Sequence, residues 1–176
     1  MTEARNRKTA MRLGSIVAAV AIVAAPFAPT AEPVRIVGKF DSWTLYVHDG
    51  PQTKVCFGSS QPASSRSEDA RRIYISLWPE DGTSELSIKA AHVLKKAPPV
   101  TATVGVVVFK LLVDGDRAFA VTPADQQRLI EAMKKGAAIT FEGTSEKGIK
   151  IKDTYPLAGF AQALQSLAAA CAGKRG

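Results

Sequence analysis

The sequence predicts a mainly β protein: an immunoglobulin-like β-sandwich with two short helices, the last of them tethered by a disulfide bond. Short segments in the middle of the chain alternate apolar and polar residues, which is the period of half-buried strands. Turns rich in Gly, Pro and Asp separate these segments. Two later segments repeat their apolar residues at helical spacing. With 176 residues, 46% of them hydrophobic, the chain can form one domain with its own core.

The first 31 residues have the pattern of a secretory signal peptide. Four basic residues precede an alanine-rich apolar stretch over residues 13–28, and small residues follow up to Ala31; this order is typical of exported proteins. We therefore expect cleavage after Ala31, leaving residues 32–176 as a single domain. The expected location is outside the cytoplasm. An uncleaved N-terminal anchor is the alternative.

The net charge and the lengths of the apolar stretches argue against a nucleic-acid partner and against a transmembrane span in the mature domain. The whole chain has a net charge of +7, and residues 32–176 keep 19 bases and 15 acids, a net charge of +4. A charge of this size does not single out nucleic acid, and export argues further against it. No uninterrupted apolar stretch reaches the roughly 20 residues of a spanning helix. We therefore expect neither a nucleic-acid partner nor a transmembrane span in the mature protein.

The strand-like segments are short and separated by turns. Near-continuous hydrophobicity over residues 100–113 predicts a central strand, bent at Gly105. Asp114-Gly115-Asp116 is a strong hairpin sequence that leads into the next strand. The predicted strands cover residues 42–48, 54–58, 72–78, 85–89, 100–113, 118–121, 138–142 and 147–152.

Two helices follow from capping residues and apolar spacing. Thr122 as cap, Pro123 in the first turn and Gly136 at the end predict the first helix. The second is expected to begin near Pro156 and to carry an apolar stripe that includes Cys171. The residues of this stripe are Leu157, Phe160, Ala161, Leu164, Leu167, Ala168 and Cys171.

Cys56 and Cys171 are the two cysteines of the chain. An exported protein enters an oxidising compartment, so we expect them to be paired. The bond would pin the last helix to the early strand that holds Cys56. The alternative is two buried, unpaired thiols.

The sequence lacks the known catalytic and cofactor-binding motifs. It has no nucleophile elbow, zinc-protease helix, phosphate-binding loop or dinucleotide-binding glycine pattern. Its two histidines, His48 and His92, lie outside any catalytic signature. We therefore expect no enzyme activity, no bound metal and no cofactor; a hydrolase that uses one of these histidines with a serine is the alternative.

Lys147, Lys150 and Lys152 form a cationic row on a predicted strand, with Ile149 and Ile151 turned inward. The row has two interpretations. It could bind an anionic glycan or a lipid headgroup, or it could be a solvated face that protects an edge strand.

Residues 143–164, which contain the run Asp-Thr-Tyr-Pro-Leu-Ala-Gly-Phe, resemble the C-terminal signature of the invasion-associated locus B (IalB) family of bacterial envelope proteins. The resemblance covers about residues 38–171. Further matching residues are Ser42-Trp43-Thr44, Val55-Cys56, Gln61-Pro62, the helix end over 132–136, and Cys171. It implies a β-sandwich of a Gram-negative bacterium that is periplasmic, secreted or associated with the outer membrane. The best-known relatives are linked to host-cell invasion, and the resemblance carries over no catalytic residue.

A structural role for the signature follows from its residue types. Asp153 and Thr154 are predicted to cap the last helix, Tyr155 to pack, and Gly159 to allow a close approach to the sheet; a ligand site is the alternative. The expected function is that of a non-enzymatic envelope protein acting by protein or cell-surface contact, in host-cell invasion or envelope maintenance. Its expected partner is an envelope or host-surface protein. The alternative is a small periplasmic module that binds an anionic glycan or lipid through the cationic row.

Overall fold

The computed structural model describes residues 34–50, 54–64, 70–78 and 83–172. The predicted signal peptide and its cleavage site lie outside these residues. The described residues form ten strands and two helices. In chain order they are β1 (Arg35–Phe40), β2 (Trp43–Asp49), β3 (Lys54–Ser60), β4 (Arg72–Trp78), β5 (Thr83–Lys89), β6 (Val100–Val104), β7 (Val107–Asp114), β8 (Arg117–Ala120), α1 (Pro123–Lys135), β9 (Ala138–Thr144), β10 (Lys150–Pro156) and α2 (Phe160–Ala172).

All ten strands belong to one antiparallel sheet. Their order across the sheet is β1-β2-β3-β4-β5-β8-β7-β6-β9-β10. Strands from both halves of this sheet bury side chains in a common hydrophobic core. The prediction of a mainly β fold with two helices is therefore confirmed, and its sandwich-like character comes from one continuous sheet rather than from two unconnected ones.

Alternation along the strands decides which residues enter the core. On β2, Trp43, Leu45 and Val47 are buried, whereas the residues between them are half-buried on the opposite, outer face. Both helices pack on the core side. Helix α1 does so through Leu129, Ile130 and Met133, and α2 through Phe160, Ala163, Leu167 and Cys171.

The Cys56–Cys171 disulfide is present and joins β3 to α2, as predicted, with the two Cα atoms 5.8 Å apart. Since it closes a loop of 115 residues in sequence, the chain-entropy estimate of its stabilisation is about 4–5 kcal/mol. Close by, the largely buried Lys54 donates a hydrogen bond through Nζ to the Ala170 carbonyl oxygen, at 3.3 Å. A cation in this position suits the negative end of α2.

Three segment predictions need correction. Residues 100–113 form two strands, β6 and β7, because Gly105 has a φ of 59° and reverses the chain. Strand β10 begins at Lys150 and continues to Pro156, and α2 begins only at Phe160. Strand β1 was not predicted, since its burial does not alternate cleanly.

Neither of the two described helices is long and apolar enough to cross a membrane.

Candidate functional site

Asp153 and Thr154 lie within β10, opposite Phe141 and Thr140 of β9. The prediction that they cap the last helix is therefore wrong, because the pairing with β9 continues past them. The buried Asp153 carboxylate instead accepts a hydrogen bond from the Arg71 guanidinium. Thr154 is exposed, and its Oγ1 lies 3.3 Å from Oγ1 of Thr140.

The rest of the signature joins β10 to the beginning of the sheet. Tyr155 is fully buried, and Phe160 packs its ring 4.8 Å from that of Trp43. Gly159 has a φ of 82°, and a Cβ atom there would lie 2.2 Å from the Phe40 carbonyl oxygen. Only glycine fits this approach between the turn before α2 and the end of β1. The contacts of these residues are those of a structural motif.

Lys150 and Lys152 lie on the outer face of β10, and Lys147 lies in the turn before it. Lys152 Nζ is 3.0 Å from a Glu142 carboxylate oxygen, so the charge of Lys152 in the cationic row is paired with an acid. Ile149 is 45% exposed, which contradicts its predicted inward orientation. The residue precedes β10 and is not held by strand pairing. Lys150 and Lys152 also line a cleft of 300 Å³ together with Arg71, Ala91, His92, Ile149, Ile151 and Asp153.

A second cleft, of 340 Å³, opens beside the outer face of β2 and β3 and was not predicted. Most of its lining side chains carry a hydroxyl or an amide, and we call it the hydroxyl cleft. Its lining residues are Ser42, Thr44, Tyr46, Ser59, Ser60, Gln61, Pro62, Ala63, Arg72 and Pro156.

Strand register builds the hydroxyl cleft. Thr44 of β2 stands directly opposite Ser59 of β3. The neighbouring Trp43 points to the other side of the sheet, where it anchors β2 in the core. The Ala63 amide donates a 2.8 Å hydrogen bond to the Thr154 carbonyl oxygen, which fixes the loop after β3 against β10. The walls of the cleft therefore come from four parts of the chain: β2, β3 with the loop after it, the start of β4 and the end of β10. Strand pairing and this loop hydrogen bond hold them together.

Beside the cleft, three aromatic side chains form a row across the outer face of β2, β3 and β4. The rings of Tyr46 and Phe57 stack at 4.9 Å with an interplanar angle of 15°. The Tyr74 ring follows at 6.3 Å from Phe57, and the Arg117 guanidinium lies 5.3 Å above Tyr74. We call this set the aromatic row. Tyr46 belongs both to the row and to the cleft.

Two features of the sequence pointed towards this surface without identifying it. The stretches Ser42-Trp43-Thr44 and Gln61-Pro62, quoted above for the family resemblance, both reach the hydroxyl cleft. The alternation of β2 also places Tyr46 outward. The described residues contain no group of three or more His, Cys, Asp or Glu side chains arranged to hold a metal ion.

The fold and these surfaces define a small β domain, built on one antiparallel sheet and closed by a disulfide bond, with its hydroxyl cleft and aromatic row on the outer face. A model of the Invasion associated locus B (IalB) protein family matches residues 43–168, and the chain belongs to this family. Its fold is similar to that in the crystal structure of invasion associated protein b from Bartonella henselae, with a TM-score of 0.58 and 20% sequence identity. That match covers 76% of this chain and 96% of the other. No curated protein matches the sequence significantly.

Proposed function

We propose that this protein is an exported, non-enzymatic envelope protein that acts by contact with a protein or a cell surface. The aromatic row, together with the hydroxyl cleft, is the proposed contact face. Membership of the IalB family and the disulfide bond, which suits an oxidising compartment, support the export part of the proposal. The proposed biological role is host-cell invasion or envelope maintenance.

The observation that carries the contact proposal is the composition of the aromatic row. Tyr46, Phe57 and Tyr74 are half-buried on an outer sheet face, and Arg117 accompanies them. Aromatic residues and arginine are enriched in binding interfaces, where they provide most of the energy. The helices of the described chain pack on the opposite face, so they do not cover this row.

The two histidines lie on different parts of the described chain. His48 is on β2 and pairs with Val55, whereas His92 lies in the loop after β5 and lines the cleft near β10.

Complementation of a deletion strain tests the proposal. We expect the wild-type gene to restore the envelope or adhesion phenotype, and the double variant Tyr46→Ala/Phe57→Ala to be exported normally but fail to restore it. The matched control is Val108→Ala/Leu112→Ala, which truncates exposed apolar side chains on β7. Rescue by a variant lacking residues 2–31 would contradict the requirement for export, and full rescue by the aromatic double variant would contradict the contact face.

A second candidate is the binding of an anionic glycan or lipid by the cationic row. The 300 Å³ cleft favours it, because Lys150, Lys152 and His92 line it, together with the Arg71–Asp153 ion pair. We expect the triple variant Lys147→Gln/Lys150→Gln/Lys152→Gln to lose salt-sensitive binding to heparin or to phosphatidylglycerol vesicles. If the wild-type protein shows no such binding at low salt, this candidate fails.

A further inference from the structure

We propose that the hydroxyl cleft binds a sugar unit of a cell-surface glycan. This inference rests on the proposed function, since it names the class of ligand for one part of the proposed contact face. It assigns to β2, β3 and the loop after β3 a role distinct from that of the cationic row on β10.

The chemistry of the lining matches a polyhydroxylated ligand. Ser42, Thr44, Tyr46 and Ser59 line the cleft and each carry a hydroxyl, which both donates and accepts hydrogen bonds. Such a lining matches a ligand whose own groups are hydroxyls that also donate and accept. Arg72 is the one charged residue among the ten that line the cleft. A phosphate-rich ligand, which favours several converging cations, is therefore a poorer match.

The hydroxyl cleft is preformed. Thr44 and Ser59 are held in register by strand pairing. Ser59 and Ser60 are 8% and 3% exposed, so the surrounding chain restricts their side chains. The volume of 340 Å³ lies within the range of small-ligand sites, about 300–1,000 Å³. Binding of a ligand here therefore costs little conformational entropy, because this part of the protein is already ordered.

Tyr46 forms an aromatic wall at the border of the cleft. The Tyr46 ring is held by its stack on Phe57 and carries a hydroxyl at its tip. A tyrosine held in this way offers an apolar ring and a polar end side by side. A pyranose ring has the same division, because its C–H groups form apolar faces and its hydroxyls surround them.

The backbone around the cleft argues against an extended peptide. A peptide that adds a strand needs free N–H and C=O groups at a sheet edge. Near the cleft, the Thr154 carbonyl of the edge strand β10 already accepts the Ala63 amide. The position that a peptide strand would occupy here is therefore taken by the protein's own loop.

An NMR titration of the oxidised domain over residues 32–176 tests the inference. The probes are maltose, N,N′-diacetylchitobiose and a glucuronate-containing hyaluronan disaccharide, with inorganic phosphate as the comparison. We expect at least one sugar to shift the amide signals of residues 42–46 and 59–63, and phosphate to leave them unchanged.

Matched variants then locate the site. Thr44→Val keeps the shape of the side chain and removes its hydroxyl, and Ser59→Ala removes the hydroxyl opposite. We expect each to raise Kd about 3–10-fold, the effect of one lost hydrogen bond. The control is Thr103→Val, at a half-buried threonine on the outer face of β6, and it should leave Kd within about twofold of the wild-type value. All three variants should keep the wild-type thermal midpoint within a few degrees.

Three results would overturn the inference: no shifts with any sugar at millimolar concentration, shifts confined to residues 147–152, or unchanged affinity in both cleft variants. The complementation experiment separates this failure from that of the proposed function. If sugars do not bind but Tyr46→Ala/Phe57→Ala still fails to complement, the contact face stands and its partner is a protein.

Discussion

At the scale of single residues, the buried Asp153 carboxylate and its Arg71 partner connect β10 to the residues before β4. Asp153 is 2% exposed, and a buried charge that loses its partner is costly. We expect Arg71→Met to lower the free energy of unfolding by about 3 kcal/mol, measured by urea denaturation. The matched control is Arg35→Met, which breaks a 2.5 Å pair with Asp49 whose arginine is 60% exposed and should cost less than about 1 kcal/mol. Equal losses in the two variants would show that burial of the Asp153 pair adds nothing.

Gly159 provides a second residue-scale prediction. A Cβ atom there would meet the Phe40 backbone, and its φ of 82° is also unfavourable for other residues. We expect Gly159→Ala to destabilise the domain by about 3 kcal/mol or more, because strain and a backbone clash add together. Gly105→Ala is the control, since Gly105 has a φ of 59° but no neighbour within 4 Å, and should cost about 1 kcal/mol. A loss at Gly159 no larger than that at Gly105 would mean that the turn moves away at little cost.

Residue patterns predicted which side chains of β2 face the core, but not what meets on the outer face. Trp43, Leu45 and Val47 are buried as their alternation indicates, because that period is local. The meeting of Thr44 with Ser59 depends on the register between β2 and β3, and a slip of one residue would reverse every side chain. Sequence alone therefore could not locate the hydroxyl cleft.

At the scale of elements, Gln126 of α1 hydrogen-bonds the part of the β5 backbone with which β8 does not pair. Strand β8 pairs only with residues 87–89 of β5. In the preceding part, the Gln126 amide accepts from the Leu86 N–H at 3.0 Å and donates to the Ser84 carbonyl at 2.8 Å. One side chain thus satisfies backbone groups on this part of the β5 edge and fixes α1 against the sheet.

We expect Gln126→Leu to lower the free energy of unfolding by about 1–3 kcal/mol, because it leaves both backbone groups without this partner. The neighbouring Gln127→Leu is a matched control, since its amide contacts Glu131 on the exposed face of α1, and it should change stability by less than about 0.5 kcal/mol. Hydrogen exchange of the Leu86 amide provides a local readout and should accelerate only in the Gln126 variant. Unchanged protection there would contradict the role given to Gln126.

Elements whose ends are set by neighbouring residues were predicted better than elements whose ends are set by strand pairing. Helix α1 begins and ends where Thr122 and Gly136 indicated, because caps act within a few residues. The start of α2 was missed because Pro156, a residue that suits a first helical turn, is held in β10 by its pairing with Ala138. Similarly, the hydrophobic run over residues 100–113 gave no sign of its reversal other than Gly105.

At the scale of the whole molecule, the chain is closed by contacts between its early and late segments. The Ser42 amide donates to the Ala158 carbonyl at 3.4 Å, and the disulfide joins α2 to β3. These links bind the last quarter of the domain to the first. The pairing of the two cysteines could be predicted, because export indicated an oxidising compartment and the helical stripe placed Cys171 on the core side. The backbone contacts of the signature residues could not be predicted, since they depend on the order of strands in the full sheet.

The disulfide and the predicted signal peptide lead to one measurement on the intact protein. We expect the protein isolated from fractionated cells to have the mass of a chain that begins at Glu32. Both cysteines should be alkylated only after reduction, because Cys56 and Cys171 are 0% and 5% exposed and bonded to each other. A Cys56→Ala/Cys171→Ala variant, exported in the same way, serves as the control for alkylation and should lose about 4 kcal/mol of stability. A full-length mass with two free thiols would contradict export, and with it the proposed contact at the cell surface. The sheet and its hydroxyl cleft would remain, but any glycan bound there would then have to be sought inside the cell.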